Sequence, residues 1–227
     1  MHQKFKTMEA LVANQVKKTQ AVPEPSVRRM PMYLNLVREM HRNGEQYVSA
    51  PYIARLLHLD PTQVVKDMSY TGVSGRPRVG FQLDELIFAL EDFLGYNRKH
   101  EAFLVGAGSL GTALIQYQGF RDAGMRIVAA FDTDKRKIGK EIAGITVFDL
   151  EKFRDLAGRL HITIGIITTP PSAAQNIADL MVGWGIRAIW NFAPVALQVP
   201  EHIIVQDTHI YANLAVIINK LGKNKDV

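Results

Sequence analysis

The stretch FLVGAGSLGTAL, residues 103–114, decides the fold of this chain. It begins as an apolar run typical of a buried strand, turns through three closely spaced glycines, and continues with the apolar spacing of a helix. Asp132 follows 21 positions beyond Gly111, at the end of a second strand-like run. A glycine-rich turn between strand and helix, with an acid at this distance, is the pattern of a dinucleotide-binding fold.

Each part of this pattern has a physical role in holding a dinucleotide. The first glycine permits a tight turn, the second lets a pyrophosphate approach the backbone, and the third lets the helix pack closely on the sheet. The helix N-terminus offers N–H groups and a positive dipole to the phosphates. We therefore assign cofactor binding to the whole loop, which comprises Gly106, Ala107, Gly108, Ser109, Leu110 and Gly111.

Asp132 is the candidate for binding a ribose of the cofactor. A carboxylate accepts hydrogen bonds from a ribose 2′-hydroxyl and repels a 2′-phosphate, so this residue favours NAD(H) over NADP(H). Lys135, Arg136 and Lys137 lie close in sequence and weaken that preference. The alternative is a similar fold whose pocket holds another nucleotide, or none.

The rest of the C-terminal half alternates strands and helices. Helical spacing predicts helices over residues 109–118 and 173–183, and β-branched runs predict strands over residues 127–131, 145–147, 162–168, 186–190 and 203–206. Such runs indicate a parallel sheet buried on both faces, and ligands bind at the carboxyl ends of its strands. The loops at that edge carry Thr169, Pro170, Asn191, Phe192, Ala193 and Pro194.

The last segment, residues 208–221, is an apolar helix that must be buried against something. It either docks on its own sheet or is exchanged between two subunits, which would form a homodimer. No sequence remains for a substrate domain, and His161, His202 and His209 are isolated, as surface or capping residues are. The dinucleotide is therefore expected to act as a signal rather than as a reagent.

The N-terminal half predicts a helix-turn-helix. A first helix begins at Arg28 and ends at Gly44, and its predicted apolar face comprises Met32, Leu34, Leu36, Val37 and Met40. Ser49 caps a helix over residues 50–57, and Asp60 caps a third helix. Two short helices joined by a tight turn form the helix-turn-helix signature, although a plain three-helix bundle with a hairpin shows the same periodicity.

The third helix and the segment after it carry the candidate DNA contacts. Thr62, Gln63 and Lys66 share one face of a helix that would lie in the major groove. There Gln pairs with adenine, and Lys contacts guanine or phosphate. The glycine-rich segment TGVSGRPRVGF then forms a wing, and the residues suited to phosphate or minor-groove contact are Arg76 and Arg78.

Composition and charge limit the classes of protein to which this chain can belong. The chain has 227 residues and a net charge of +5, of which residues 1–100 contribute +4. This bias favours a polyanionic partner, although solubility alone explains it equally well. Cysteine is absent and the seven His are scattered, so no disulfide and no metal are expected. No apolar run approaches the roughly 20 residues of a membrane span, and the N-terminus lacks a secretory signal, so we expect a cytoplasmic protein without a membrane partner.

Taken together, the segments RRMPMYL, QVVKDMSYTG, VGAGSLGTALIQYQGF, FDTDKRKIG, TTPPSAAQNIADLMVGWGI and IWNFAPVALQVP resemble the Rex family of redox-sensing transcriptional repressors. The resemblance implies a homodimer with N-terminal winged helices, C-terminal Rossmann domains and an exchanged last helix. It also implies a repressor that binds operator DNA when NADH is scarce and leaves it when NADH binds.

The resemblance also extends the set of site residues. It adds Tyr117 and Asp207 to the NADH site, and it places the recognition helix over residues 62–70. The candidate DNA interface then also includes Ser49, Ser69 and Tyr70. The chain departs from the family at Asn35 and Val65, where basic residues are usual, so operator sequence and domain coupling are expected to differ from those of relatives.

These observations predict an α/β protein with a winged helix-turn-helix domain and a Rossmann-like parallel-sheet domain that ends in a swapped helix. The expected boundaries are an N-terminal extension over residues 1–27, a DNA-binding domain over 28–97, an NAD(H)-binding domain over 98–206 and a terminal helix over 207–227. Two alternative functions stay open: a small NAD-dependent oxidoreductase whose N-terminal domain only dimerises, and a regulator that responds to a different nucleotide.

Overall fold

The computed structural model of the protein describes residues 22–223, and the chain divides into two compact units between Gly95 and Tyr96. Most of the extension predicted over residues 1–27 lies outside the described residues, and so does a helix that its sequence predicts near residues 8–16. Across residues 22–223, every helix is too short or too polar to cross a bilayer.

The N-terminal unit is a winged helix. Its helices are α1 (Glu24–Arg42), α2 (Ala50–Leu57), α3 (Pro61–Ser69) and α4 (Leu83–Leu94), and its two short strands are β1 (Tyr47–Val48) and β2 (Phe81–Gln82). The strands pair antiparallel and form the base of the wing. Both predicted caps are confirmed, because the Ser49 side chain accepts from the Tyr52 amide and the Asp60 side chain accepts from the Thr62 and Gln63 amides.

Helix α1 differs from its prediction at its start and in its buried face. It begins at Glu24 rather than Arg28, because a proline at the second helical position lacks only an N–H that would find no partner in the first turn. Met32 is 45% exposed and Leu36 is only half-buried. The buried face runs instead through Met30, Tyr33, Leu34, Val37 and Met40.

The C-terminal unit is a Rossmann-like α/β fold. Its strands are β3 (His100–Val105), β4 (Met125–Asp132), β5 (Glu141–Ile142), β6 (Ile145–Asp149), β7 (Ile164–Ile167), β8 (Ala188–Asn191) and β9 (Ile204–Asp207). Its helices are α5 (Ser109–Gln116), α6 (Gly119–Asp122), α7 (Phe153–Leu160), α8 (Pro171–Gly183) and α9 (Ile210–Lys223). The sheet order is β5-β6-β4-β3-β7-β8-β9, and every neighbouring pair except β5–β6 is parallel.

The sheet is buried on both faces, as its β-branched runs predict. On one face the rings of Phe103, Phe131 and Phe153 pack with centroids 4.8–5.2 Å apart. The other face packs around Leu104, Ala130 and Ile166. The strand order reverses between β3 and its neighbour β7, so the loops after these two strands diverge and open a crevice at their carboxyl ends.

Helix α9 has the apolar composition that the sequence indicates, but it does not dock on its own sheet. Every residue from 210 to 222 is exposed, and the exposed fraction of its large hydrophobic residues ranges from 49% at Leu214 to 69% at Tyr211. The first of the two expectations for this segment is therefore wrong, since a helix so apolar is not covered by its own chain.

Candidate functional site

The glycine-rich loop after β3 is shaped by backbone contacts with the loop after β7. Gly106 has φ +105°, and a Cβ there would lie 2.8 Å from the carbonyl carbon and oxygen of Thr168. A Cβ at Gly111 would collide with the Gly106 carbonyl oxygen. Above Gly108, by contrast, the space is open to at least 4 Å, which leaves room for a ligand to approach the N-terminus of α5.

Asp132 ends β4 beside this loop and is held in one orientation. Its Oδ2 accepts from the Ala107 amide at 2.9 Å and from Lys137 Nζ at 2.8 Å, and its Oδ1 accepts from the Asp134 amide at 2.9 Å. Burial alone would raise the pKa of this carboxyl, but the Lys137 ammonium and the two amides lower it. Asp132 is therefore a fixed carboxylate that faces the crevice.

The basic residues after Asp132 are mostly engaged by carboxylates. Lys137 pairs with Asp132, and Arg136 pairs with Asp134 through Nη2 and Oδ2 at 2.8 Å. Because these two cations are neutralised locally, they weaken the preference for NAD(H) less than their positions in the sequence indicate.

A cavity of about 770 Å³ lies in the crevice, within the range of small-molecule and cofactor sites. Its walls include eight of the residues predicted to bind the cofactor: Gly106, Gly108, Leu110, Asp132, Thr169, Pro170, Phe192 and Pro194. The strand order puts the glycine loop and Asp132 at one end of the cavity, after β3 and β4, and it puts prolines, Phe192 and the start of α9 at the other end, after β7, β8 and β9. The Thr169 Oγ1 atom is buried and has no hydrogen-bond partner within residues 22–223.

The remaining predicted cofactor residues do not line this cavity. Asn191 is fully buried, and its amide nitrogen donates to Asp207 Oδ1 at 2.8 Å and to the Val195 carbonyl at 2.9 Å. Its amide oxygen accepts from the Ala193 amide. Asn191 and Asp207 thus hold the loop that presents Phe192 and Pro194. Tyr117 stacks edge-to-face on Phe120, away from the cavity wall, and the others off the wall are Ala107, Ser109, Gly111 and Ala193.

The sequence analysis missed the contribution of the segment before α9. The cavity is also lined by Thr208, His209, Ile210 and Tyr211, so His209 is exposed, as expected, but it also belongs to the cavity wall. Strand β9 pairs with β8 and ends at the same edge as β3 and β7, which brings its loop to the crevice. Strand order would have revealed this, because every loop at the carboxyl edge of a parallel sheet is a candidate.

In the N-terminal unit, α3 presents the features of a recognition helix. Thr62 and Lys66 are exposed, whereas Val64 and Met68 are fully buried in the core. Gln63 differs from its prediction, because its Nε2 donates to Asp67 Oδ1 at 2.9 Å instead of projecting freely. Among the residues added by resemblance, Ser49 caps α2, Ser69 donates to the Lys66 carbonyl at 2.6 Å, and Tyr70 is half-buried after α3.

Asp67 anchors α3 to α1. It is fully buried and accepts from Arg29 Nε at 2.7 Å, Arg29 Nη2 at 2.9 Å and the Tyr33 hydroxyl at 2.7 Å, in addition to Gln63. Burial alone would raise the pKa of Asp67, but these hydrogen bonds lower it. Burial and the bond to Asp67 raise the pKa of Tyr33. The network fixes the orientation of α3 relative to α1.

The wing is a short hairpin in which Arg76 and Gly80 exchange backbone hydrogen bonds of 2.7 and 2.9 Å. The Arg76 guanidinium donates to Gln82 Oε1 at 3.3 Å and lies 3.5 Å from Glu85 Oε1. Arg78 is exposed at the tip with φ +62°, a conformation unfavourable for a residue with a Cβ. Arg78 is therefore the better placed of the two wing arginines for a DNA contact.

Metal-binding groups do not converge in the part of the chain that the structure describes. No three His, Asp or Glu side chains of residues 22–223 lie close enough to share an ion. The candidate sites are thus one cavity and one helical surface.

Each half of the chain matches a known protein family, and named relatives match nearly its whole length. Residues 21–69 match a family model described as a putative DNA-binding protein N-terminus, and residues 97–195 match one described as a CoA binding domain. A protein of Bacteroides fragilis named redox-sensing transcriptional repressor Rex is 45% identical over 211 residues, which cover 93% of this chain and 96% of the relative. A protein of the same name from Treponema denticola is 46% identical, over 88% of this chain and 97% of the relative.

Solved structures agree with these relatives over nearly the whole chain. The fold is similar to a crystal structure of RSP in complex with β-NAD⁺ and operator DNA, with a TM-score of 0.85 and 30% identity over 91% of this chain and 95% of that chain. A crystal structure of RSP in complex with β-NADH gives a TM-score of 0.82 at 30% identity, over 91% of this chain and 97% of that chain. RSP is described as a Rex-family repressor.

Proposed function

This chain belongs to the Rex family of redox-sensing transcriptional repressors, and we propose that NADH bound in the cavity beside Asp132 releases it from operator DNA. It is a regulator and not an enzyme, so the oxidoreductase alternative is set aside. The observation that carries the proposal is the cavity, whose two ends differ in chemistry as the two ends of a dinucleotide do.

The polar end suits the adenosine side of NADH. The open space above Gly108 and the N-terminal amides of α5 would receive the pyrophosphate. The fixed Asp132 carboxylate would accept from a ribose hydroxyl and repel the 2′-phosphate of NADPH. Lys137, which pairs with Asp132, would hold the carboxylate in place during binding.

The apolar end favours the reduced ring over the oxidised one. Phe192, Pro170 and Ile210 line it beside Thr208 and His209, and none of its lining residues carries a carboxylate to balance a cation that loses hydration there. The dihydronicotinamide ring of NADH is uncharged, whereas the nicotinamide ring of NAD⁺ carries a positive charge. The buried Thr169 hydroxyl is a hydrogen-bond group that a ligand amide would satisfy.

We further propose that the functional unit is a homodimer in which the two subunits exchange α9, so that each buries the apolar residues of the other's helix. Exposed apolar residues along the whole helix support this, because they need a cover that the chain itself does not supply. Ile217→Asp should then give monomers in light scattering, whereas Asn219→Asp on the same helix should leave dimers. If Ile217→Asp remains a dimer, α9 is not the interface.

The response to NADH is tested by fluorescence anisotropy of a palindromic operator selected from randomised DNA. We expect NADH to release the DNA and NAD⁺ to leave it bound, and Asp132→Asn to need more NADH for release. A change from mostly bound to mostly released requires about 5.5 kcal/mol of preference between the two states, which two NADH molecules can share. Equal retention of DNA with both cofactors would contradict redox sensing.

The salt dependence of operator binding gives an independent check. Affinity should fall steeply as salt rises, since Lys and Arg contacts to phosphate release counterions. Because operator DNA is chromosomal, we place the protein in the bacterial cytoplasm.

A further inference from the structure

The outward face of α3 carries one apolar side chain among polar ones. Residues at helical spacing i, i+3, i+4 and i+7 are exposed, namely Thr62, Val65, Lys66 and Ser69. The opposite face is fully buried through Val64, Asp67 and Met68. Helix α3 therefore has one orientation, and Val65 belongs to the face that is left for DNA.

Several polar groups of α3 are already used within the protein. Gln63 donates to Asp67, and Ser69 donates to the Lys66 carbonyl at 2.6 Å. The bond to the fully buried Asp67 carboxylate restrains the Gln63 amide, which is therefore not free to turn towards adenine. Base discrimination must then come largely from the other exposed side chains, of which Val65 stands at the middle of the nine-residue helix.

Val65 is 53% exposed and presents a stiff, branched apolar group. The edges of the bases in the major groove carry hydrogen-bond donors and acceptors, and the apolar exception is the C5-methyl group of thymine. A valine at a base edge without that methyl group would desolvate polar atoms without replacing their hydrogen bonds.

We propose that Val65 contacts a thymine methyl group and so specifies one T·A pair in each half-site of the operator. This inference rests on the proposed function, because it takes α3 to be the helix that enters the major groove. It assigns Val65 the role of a specificity residue and Gln63 that of a positioning residue, which acts through Asp67.

The test removes single methyl groups from the DNA. The wild-type protein first selects a palindromic duplex from randomised DNA, and each thymine of that duplex is then replaced in turn by deoxyuridine, which has the same hydrogen-bond groups. We expect one position per half-site to lose about fourfold in affinity, the value of burying one methyl group. The other positions should change little.

Two protein variants separate this contact from others on the same face. Val65→Ala should weaken binding to the unmodified duplex by about threefold to tenfold and should abolish the sensitivity to deoxyuridine at that position. Thr62→Ser, which also removes one methyl group from the outward face, should keep that sensitivity. The salt dependence of Val65→Ala should match that of the wild type, because no phosphate contact is lost.

Three results would count against these proposals. If the wild type binds tightly and every thymine tolerates replacement, the methyl contact is wrong while the repressor function stands. If Val65→Ala shows the same sensitive position as the wild type, another side chain reads the methyl group and the inference fails. If the wild type selects no DNA at all, the proposed function fails and this inference fails with it.

Discussion

Each unit of the molecule contains a buried aspartate paired with a cation, and the two are used differently. Asp67 in the winged helix is fully buried and is bound by Arg29, Tyr33 and Gln63. Asp132 in the Rossmann-like unit is 9% exposed, is bound by Lys137 and two backbone amides, and lines the cavity.

The difference lies in what surrounds the carboxylate. Asp67 is enclosed by donors of its own unit, so its charge fixes the position of α3 and offers nothing to a ligand. Asp132 is oriented by its donors but keeps one side towards the cavity, so its remaining acceptor capacity is available there. Burial and a lowered pKa are common to both, and only access to the cavity distinguishes Asp132, for which we propose a binding role, from the architectural Asp67.

The largest effect is expected from Asp67→Ala. Removing one partner of a buried ion pair leaves Arg29 without its counter-charge, and we expect a loss of about 3 kcal/mol, at the lower end for such pairs because Arg29 is 20% exposed. Amide hydrogen exchange of α1 and α3 in the full chain measures this loss. Asp132→Ala is the matched control and should leave exchange in those helices unchanged. Equal protection in wild type and Asp67→Ala would show that the network around Asp67 does not stabilise these helices.

A smaller effect is expected from Gly106→Ala. This change disturbs Asp132 because the amide of the next residue, Ala107, donates to its carboxylate. The substitution places a Cβ against the Thr168 carbonyl at φ +105°, and we expect about 2 kcal/mol of destabilisation together with loss of NADH binding. Tryptophan fluorescence reports this unit alone, because both tryptophans, Trp184 and Trp190, lie in it.

Gly108→Ala is the control for that substitution. Its Cβ would meet no protein atom within 4 Å, so the fold should persist while NADH binding falls. If NADH binds equally well to Gly108→Ala, the pyrophosphate does not lie over this residue.

Asp132→Asn comes next and tests the binding role directly. The amide keeps one acceptor but loses the charge, so we expect about tenfold weaker NADH binding, equivalent to about 1.4 kcal/mol. Discrimination against NADPH should fall at the same time, because the repulsion of the 2′-phosphate is removed. NADH fluorescence titration measures both, and unchanged affinities would mean that Asp132 does not contact the ribose.

Much of this arrangement follows from local sequence, because its causes are local. The strand, the glycine turn and the helix start are set within residues 103–114, and the Ser49 and Asp60 caps act within three residues of themselves. Asp132 is found because a second strand returns beside the first at a nearly fixed chain distance.

What the sequence leaves open depends on contacts between distant segments. Asn191 has the chemistry of a ligand contact, and only its bonds to Val195 and Asp207 reveal that it holds a loop. Gln63 matches the pattern of a base reader, and the carboxylate that engages it is itself held by Arg29, 38 residues from Asp67. Helix α7 was not predicted although its eight residues are amphipathic, because no side chain caps its start as Ser49 caps that of the equally short α2.

The smallest effect is expected from acid, and it also distinguishes the two aspartates. Both have a pKa below the ordinary value of 3.8, so each contributes stability above that pH and loses it as pH falls through the lowered pKa of the folded state. The free energy of unfolding, measured with urea, should therefore fall in both units as the pH is lowered from about 6 to about 3. Asp132→Asn should flatten the pH dependence seen by tryptophan fluorescence, whereas Asp67→Asn should leave that signal unchanged and flatten the pH dependence of amide protection in α1 and α3. If either variant flattened both signals, the two carboxylates would be coupled, and the separation of an architectural from a binding aspartate would not hold.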